Sequence, residues 1–320
     1  MTLRLLADDL TGALDSAARF ATASAPVSVV WQAGNATGSV AMDSGTRDLP
    51  AARVQSRLHA FVPLLAVGDP AFKKIDSLLR GHVAQELAAC VGAFDHCILA
   101  PAFPFQGRVT RNGRQLVRSG KEWHDTGVDL QSELRRFGIA LQVRDAETEQ
   151  DLHDIVADAR RLEGRVLWCG SGGLAGALAG DHPSPRPVLS APVLAVIGSD
   201  HPVTREQIAA VTGALRARVI TCELPPGIDR REARHRIAAK FAALLTHIPR
   251  PGTLFVAGGE TLRDLCTTLG VSHLEVDGEL EPGVPTSLVR GGAWDGQRLI
   301  SKSGAFGGST FLADLLEEFG

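Results

Sequence analysis

Short apolar runs alternate with amphipathic stretches along this chain. The run Leu3–Ala7 precedes the stretch Gly12–Ala21, in which Ala13, Ala17 and Phe20 fall on one helical face. Further strand-like runs, most of them followed by a turn and a helical pattern, lie in PVSVVWQ, HCILAPAFP, GRVLWCGSGGLAGALAG, VLAVIGSDHPVTREQIAAV and TLFVAGGETLRDLCTTLG. Strands that alternate with helices predict an α/β fold with largely parallel sheets.

Capping residues predict the ends of several helices. Thr204 and Gln207 match a capping box, which predicts that one helix begins near Thr204. Thr261 is the predicted N-cap of a later helix, and Gly180 and Gly270 are predicted C-caps.

A proline-rich segment divides the chain. Asp181–Pro192 contains four prolines, which suit neither a helix interior nor a central strand, so we interpret it as a linker. We therefore predict two α/β domains, residues 1–181 and 182–320, each with a largely parallel sheet flanked by helices. A ligand cleft is expected between them, because binding sites often form where two domains meet.

The composition excludes several classes of partner. The 320 residues are 44% hydrophobic and 22% charged, and the net charge of −3 gives no reason to expect nucleic acid or an anionic membrane. No apolar run reaches the roughly 18 residues of a membrane helix, and we expect no secretory signal. The five cysteines form no C-x-x-C pair or zinc spacing, which favours reduced thiols in a cytoplasmic protein.

Two adjacent carboxylates, Asp8 and Asp9, follow the first apolar run. Loops at the carboxyl ends of parallel strands bind ligands, so these acids are candidates for binding substrate hydroxyls, holding Mg²⁺ or accepting a proton. The structural alternative is that one of them caps the following helix. Asp15 is then interpreted as a first-turn acid that complements the helix dipole.

A basic cluster and a polar loop provide further candidates. Lys73, Lys74, Asp76, Ser77 and Arg80 lie within eight positions, a pattern that suits a carboxylated or phosphorylated ligand but also a solvated turn. The segment PAFPFQGRVTRNGRQLV places a long polar loop at the end of another strand, where function is often found.

Glycine-rich turns indicate a site for phosphate. CGSGGLAG, IGSDHPVT and AGGETLRD follow strands, and a fourth glycine loop, SKSGAFGG, contains Lys302. GSGGLA also matches the dinucleotide pattern G-x-G-x-x-A, although no acid follows about 20 residues later at a strand end. An NAD-dependent oxidoreductase is therefore an alternative that depends on this match alone, and the absence of a G-x-x-x-x-G-K-[ST] motif excludes the P-loop class.

Eight segments occur in an order that resembles the four-carbon acid sugar kinase family: ADDLTGALD, KKIDSLLRGH, PAFPFQGR, SGGLAGALA, GSDHPVTREQI, GGETLRDL, EPGVP and KSGAFGG. The resemblance extends from Ala7 to Gly308 and includes 3-oxo-tetronate, D-threonate and D-erythronate kinases. It implies a two-domain α/β protein whose N-terminal domain binds the sugar acid and whose C-terminal domain binds ATP.

The resemblance also implies which residues bind the two substrates. The sugar acid would contact Asp8 or Asp9, Arg47, Lys74, Ile75, Asp76 and Ser77. ATP would contact Ser199, Gly258, Gly259, Glu260, Thr261 and Gly304, and Mg²⁺ would bridge its phosphates.

The leading hypothesis is an ATP-dependent kinase that phosphorylates a hydroxyl of a threonate, erythronate or 3-oxo-tetronate type acid. Such transfer needs positioning, neutralised phosphate charge and a group that accepts the hydroxyl proton. Asp8, Asp9 and Asp76 are the candidate acceptors, and Lys74 and Arg47 would pair with the substrate carboxylate or the transferred phosphate. A non-catalytic protein that binds sugar acid or nucleotide is a further alternative.

Two departures from the family pattern bear on the substrate. The chain is shorter than typical members, with the missing length between Gly113 and Arg186. The run DP..P expected after HDTGVD is absent, because Leu130 follows Asp129. The identity of the sugar acid, the phosphorylated position and the oligomeric state therefore stay open at the sequence level.

Overall fold

The computed structural model describes residues 2–34, 37–180, 187–222, 227–245 and 247–319. The chain divides into two compact units, Met1–Phe20 with Val27–Pro183 and Ala21–Pro26 with Ser184–Gly320. Residues 181–186 of the predicted linker lie outside the described residues, so the domain boundary at residue 181 stays a prediction. Within the described residues, no helix combines the length and the apolar character needed to cross a membrane.

The first unit contains a six-stranded parallel sheet and a small antiparallel sheet. Its strands are β1 (Arg4–Ala7), β2 (Val27–Val30), β3 (Val40–Asp43), β4 (Ala71–Lys74), β5 (His96–Ala100), β6 (Arg108–Arg111), β7 (Arg114–Ser119), β8 (Glu122–Asp125) and β9 (Val166–Gly170). The parallel sheet has the order β2-β3-β1-β4-β9-β5. The strands β6, β7 and β8 form the antiparallel sheet.

Helices cover the parallel sheet of the first unit. They are α1 (Leu10–Phe20), α2 (Ala51–Leu58), α3 (Val62–Ala66), α4 (Val83–Cys90), α5 (Leu130–Arg136), α6 (Glu149–Ala159) and α7 (Gly172–Ala179). Leu5, Leu6 and Ala7 of β1 are fully buried, as expected for a central parallel strand that is covered on both faces. Helix α1 packs against α7, and α2 packs against α4.

The second unit contains a mixed sheet. Its strands are β10 (Val193–Ile197), β11 (Val219–Thr221), β12 (Thr253–Ala257), β13 (His273–Glu279), β14 (Pro285–Arg290) and β15 (Arg298–Lys302). Its helices are α8 (Pro202–Ala210), α9 (Arg230–Leu245), α10 (Gly259–Leu269) and α11 (Phe311–Glu318). The strands β11, β10, β12 and β15 are parallel, and β14 and β13 continue the sheet in antiparallel pairs. The predicted α/β class with largely parallel sheets is therefore confirmed.

The two predicted helix N-caps are wrong, whereas the glycine C-caps are confirmed. Gly180 follows α7 and Gly270 follows α10, both with positive φ. Helix α10 begins at Gly259, before Thr261. Helix α8 begins at Pro202, because proline has a φ that suits the first helical position.

Tertiary hydrogen bonds explain why the capping box at α8 fails. Thr204 Oγ1 donates to the carbonyl of Gly304 at 2.8 Å, and Gln207 Nε2 donates to the carbonyl of Gly308 at 2.8 Å. Both side chains hold the loop after β15 instead of closing a capping box. His201 takes the N-cap position, and its Nδ1 accepts a hydrogen bond from the α8 backbone.

Candidate functional site

The ends of three neighbouring strands bring the predicted sugar-acid residues together in the first unit. Strand β1 lies between β3 and β4 in the parallel sheet, so all three end at the same edge. Asp8 and Asp9 follow β1, Arg47 lies in the loop after β3, and Asp76 follows β4. This edge is where ligands bind in open α/β sheets.

The Arg47 guanidinium joins the three carboxylates. It donates to both oxygens of Asp8 at 2.7 and 2.8 Å and to Asp9 Oδ2 at 2.5 Å, and Nη2 lies 3.6 Å from Asp76 Oδ1. Burial disfavours the charge on Asp8, but the ion pair with Arg47 outweighs it and the pKa of Asp8 is lowered. Burial also disfavours the charge on Arg47, yet the carboxylates raise its pKa above the usual range. The pairing of Arg47 with a substrate carboxylate stays a prediction, since its guanidinium is already shared among three acids.

Asp9 caps helix α1. Its Oδ1 accepts a hydrogen bond from the Gly12 N–H at 2.9 Å, and its Oδ2 accepts one from Thr11 Oγ1 at 2.8 Å. A Cβ atom at Gly12 would lie 2.6 Å from Asp9 Oδ1 and 2.9 Å from Lys74 Nζ, so glycine leaves room for both groups. The capping interpretation is therefore correct for Asp9, and Asp8 has the separate task of binding Arg47.

Asp76 is held by Arg80 in the turn after β4. Arg80 Nε and Nη2 donate to the two Asp76 oxygens at 2.9 and 2.7 Å, and the N–H of Leu78 donates to Oδ2 at 3.1 Å. These bonds fix a turn in which Leu79 has a φ of 61°, which is uncommon for a side chain of this size. Burial opposes the ionisation of Asp76, but the Arg80 hydrogen bonds and the Arg47 charge lower its pKa overall.

The other predicted sugar-acid residues offer different groups to the site. Lys74 ends β4, and its buried side chain brings Nζ close to the start of α1. Ile75 has a buried apolar side chain, so it contributes packing rather than a polar group. Ser77 Oγ accepts a hydrogen bond from Arg108 Nη1 at 2.5 Å. Their contacts with a sugar acid stay predictions.

A buried ion pair supports the loop that carries Arg47. Lys73 Nζ lies 2.7 Å from Glu86 Oε2, and neither side chain is more than 2% exposed. Burial disfavours the charge on Lys73, but Glu86 outweighs it and the pKa of Lys73 is raised. Glu86 Oε1 also accepts a hydrogen bond from the hydroxyl of Thr46, next to Arg47. Strand β4 and helix α4 together therefore fix this loop.

The predicted nucleotide residues also come together at strand ends, in the second unit. Strand β12 lies between β10 and β15; Ser199 follows β10, Gly258 follows β12 and Gly304 follows β15. A Cβ atom at Gly304 would lie 2.2 Å from Ser199 Oγ, and one at Gly258 would lie 3.3 Å from Ser199 N. Gly258 and Gly304 thus let two of the loops approach Ser199 in the third.

Helix α10 begins inside this group of loops. Gly258 has a φ of 113°, a conformation that favours glycine, and Gly259 and Glu260 are the first two residues of the helix. Thr261 is buried, and its Oγ1 would lie only 2.0 Å from a Cβ atom at Gly198. Free N–H groups and the positive end of the helix dipole at such a start suit a phosphate.

A buried lysine binds the backbone of the loop after β15. Lys302 is 1% exposed, and its Nζ donates to Thr204 Oγ1 at 3.2 Å and to the carbonyls of Ser303 and Gly304 at 3.3 Å. Burial lowers the pKa of Lys302 to about 8, against the opposing effect of Glu281. This amine fixes the loop from its buried side.

Two family models match separate parts of the chain. Residues 3–133 match the family described as "Sugar-binding N-terminal domain", and residues 223–312 match the family described as "Nucleotide-binding C-terminal domain". A D-threonate kinase from Cupriavidus necator is 29% identical and aligns over 98% of this chain and 96% of its own. A D-threonate kinase from Salmonella typhimurium is 24% identical over 99% and 98% of the two chains. The chain belongs to the four-carbon acid sugar kinase family.

Other members of this family that match the chain are named D-erythronate kinase and 3-oxo-tetronate kinase. The alignment with the Cupriavidus necator relative has 405 positions, more than the 320 residues of this chain, so that relative contains segments that this chain lacks. A solved structure from Salmonella typhimurium LT2 covers 100% of both chains with a TM-score of 0.77 at 20% identity, which supports the fold alone.

In this family member, the glycines of GSGGLA have a packing role. A Cβ atom at Gly172 would lie 2.7 Å from Asp15 Oδ2, and one at Gly173 would lie 2.7 Å from the carbonyl of Ala102. The space beside both glycines is therefore filled by the protein itself. The match to the dinucleotide pattern reflects close packing at the start of α7.

A resident magnesium ion does not fit the first-unit site. The described residues contain no group of three or more His, Cys, Asp and Glu side chains arranged to hold a metal. Asp8, Asp9 and Asp76 are close together, but Arg47 already supplies their positive charge. Mg²⁺ commonly keeps several waters and binds nucleotide phosphates, so the expectation that it bridges the phosphates of ATP stays a prediction.

Several residues at this site were not assigned from the sequence. Asp15 was interpreted as a first-turn acid; this is wrong, because α1 begins at Leu10 and Asp15 lies buried in its second turn. Arg80 is a candidate in the predicted basic cluster and Arg108 lies in the predicted polar loop, but their partners Asp76 and Ser77 become visible only in the fold. Glu86 gave no sequence signal beyond an acid in a helical stretch.

Proposed function

We propose that this chain is an ATP-dependent kinase that phosphorylates a hydroxyl of a four-carbon sugar acid. The observation that carries the proposal is the presence, in one chain, of a sugar-binding and a nucleotide-binding domain of this kinase family. The acids and cations at the strand ends of the first unit support it, since a sugar acid offers hydroxyls and a carboxylate to such groups.

In this proposal, the first unit binds the sugar acid and the second unit binds ATP. Asp8, Asp9, Arg47, Lys74 and Asp76 would bind and orient the acid, with Ile75 and Ser77 shaping the site. Ser199, Gly258, Gly259, Glu260, Thr261 and Gly304 would bind ATP, whose phosphates carry Mg²⁺. Such positioning and charge neutralisation supply most of the catalysis of phosphoryl transfer.

The cysteines support a cytoplasmic location for this enzyme. All five are free thiols, three of them buried, as expected where the environment keeps thiols reduced.

The direct test incubates the purified protein with ATP, Mg²⁺ and each of D-threonate, L-threonate, D-erythronate and 3-oxo-tetronate. We expect ADP release that depends on one or more of these acids, with the phosphorylated acid identified by mass spectrometry. A parallel assay with NAD should show no absorbance change. Binding of the acids without turnover, or reduction of NAD, would contradict the proposal.

A further inference from the structure

Asp15, on helix α1 near the first-unit site, has a buried carboxylate oxygen that lacks a hydrogen bond. Both oxygens of Asp8 receive hydrogen bonds from Arg47, and both oxygens of Asp76 receive them from Arg80. Asp9 is occupied by the helix cap and Arg47. Asp15 is 7% exposed, and its Oδ1 accepts no hydrogen bond.

Arg108 presents the complementary group. Its Nη1 donates to Ser77 Oγ, while its Nε is buried without a hydrogen-bond partner. Asp15 and Arg108 interact electrostatically, but no hydrogen bond joins them. A buried donor and a buried acceptor that both stay unsatisfied are costly, so their presence close enough to interact electrostatically points to a ligand that satisfies both.

The surroundings of Asp15 define its charge state. Lys74 on β4, Arg19 on α1 and Arg108 on β6 favour its ionised form, whereas Asp9 disfavours it. Burial against α7 outweighs these charges and raises the pKa of Asp15 above its usual value. A carboxylate in this environment is a stronger base than one that is paired with arginine.

We propose that Asp15 and Arg108 are two further substrate ligands of the sugar-acid site, with Arg108 binding the acid's carboxylate and Asp15 accepting the proton of the reacting hydroxyl. This inference rests on the proposed kinase function. It moves the role of proton acceptor away from Asp8, Asp9 and Asp76, whose oxygens are occupied.

The chemical step balances with ATP as the co-reactant. The substrate hydroxyl oxygen forms a bond to the γ-phosphorus, the bond between that phosphorus and the β,γ-bridging oxygen breaks, and ADP leaves. The hydroxyl proton moves to Asp15 Oδ1, which later returns it to solvent. Arg108 keeps its charge throughout, because arginine is not deprotonated in proteins.

The test compares Asp15→Asn, Arg108→Met and the control Arg111→Met in the full chain. Arg111 lies on the same strand β6 but forms an exposed ion pair with Glu147, so its loss should leave binding and turnover unchanged. For Arg108→Met, we expect calorimetry with the best sugar acid to show affinity weakened by about 10- to 100-fold. For Asp15→Asn, we expect similar sugar-acid affinity but a turnover lowered by about 10² to 10⁴.

A pH profile separates this role from a structural one. A base must be ionised, so the wild-type rate should fall as pH drops through the raised pKa of Asp15, and the residual activity of Asp15→Asn should lack that acid limb. Thermal melting reports whether the variants fold. If Asp15→Asn does not fold, the sugar-acid affinity of Arg108→Met still tests the proposal.

The two proposals fail in different ways. If the wild type phosphorylates a sugar acid while Asp15→Asn and Arg108→Met behave like Arg111→Met, the inference is overturned and the kinase function stands. If the wild type phosphorylates none of the acids, the proposed function fails and this inference fails with it.

Discussion

Lys302 shows how a single buried side chain can make stability depend on pH. Its amine binds neutral oxygens of the loop after β15, and burial lowers its pKa to about 8 from 10.5. The folded state therefore loses this proton before the unfolded state does as pH rises. The cost of burying the charge is present in full below pH 8 and is relieved between pH 8 and 10.5.

We predict that Lys302→Met removes this dependence. Between about pH 7 and about pH 10, the unfolding free energy of the wild type should rise relative to that of the variant, by up to about 3 kcal/mol. Urea unfolding of both proteins across this range gives the two unfolding free energies. Subtracting one from the other removes the contribution of groups that titrate alike in both proteins. A difference that stays constant with pH would show that Lys302 is not desolvated in the folded protein.

At the scale of elements, the contact between the loops after β10 and β15 depends on the absence of a Cβ atom at Gly304. A Cβ atom at Gly304 would meet Ser199 Oγ at 2.2 Å and His201 Cβ at 2.6 Å, whereas one at Gly308 would meet nothing within 4 Å. The same loop therefore offers a test position and a matched control.

We predict that Gly304→Ala displaces this loop and weakens ATP binding by about tenfold or more, equivalent to about 1.4 kcal/mol. Gly308→Ala should bind ATP like the wild type. Isothermal calorimetry gives both affinities, and circular dichroism checks the fold. Equal ATP affinities for the two variants would show that the Gly304 loop does not contribute to the nucleotide site.

The sequence predicts buried elements well and polar ones poorly. The apolar runs of β1, β10 and β12 are correct within a residue or two, because central parallel strands are nearly continuous apolar runs. The antiparallel strands β6, β7 and β8 were not predicted. For β8 the reason is that the strand is exposed along its whole length and lacks a hydrophobic pattern. The start of α8 was misplaced because Thr204 and Gln207 bond to a loop a hundred residues away.

For the whole molecule, we predict that the two ligand sites can be disabled separately. Asp8→Asn removes a buried charge from the Arg47 network and should weaken sugar-acid binding by about tenfold or more. The same variant should keep its ATP affinity within about twofold, because its substitution lies outside the nucleotide-binding domain. Gly304→Ala should show the reverse pattern. Loss of both affinities in either variant would indicate damage to folding rather than to one site.

The site as a whole could be predicted only in part from the sequence. The ordered motifs identified the loops that carry Asp8, Asp76 and Gly304, although only the motif with Asp8 follows a strand that the sequence predicts. They did not connect Asp15 with Arg108, since these residues lie on α1 and β6, far apart in the chain, and interact electrostatically only once the chain is folded. Burial and missing hydrogen bonds, which decide their chemistry, have no counterpart in a linear pattern.

The buried pair of Lys73 and Glu86 restricts the paths by which this sequence can diverge. Removing one member leaves an uncompensated buried charge and costs about 3–5 kcal/mol, a large share of the 5–15 kcal/mol that holds a typical domain folded. Replacing both with apolar residues of similar volume is often neutral. The charged pair and an apolar pair are thus separated by a single-substitution intermediate that is poorly folded. Descendants of this chain should therefore keep both charged residues or replace both with apolar ones.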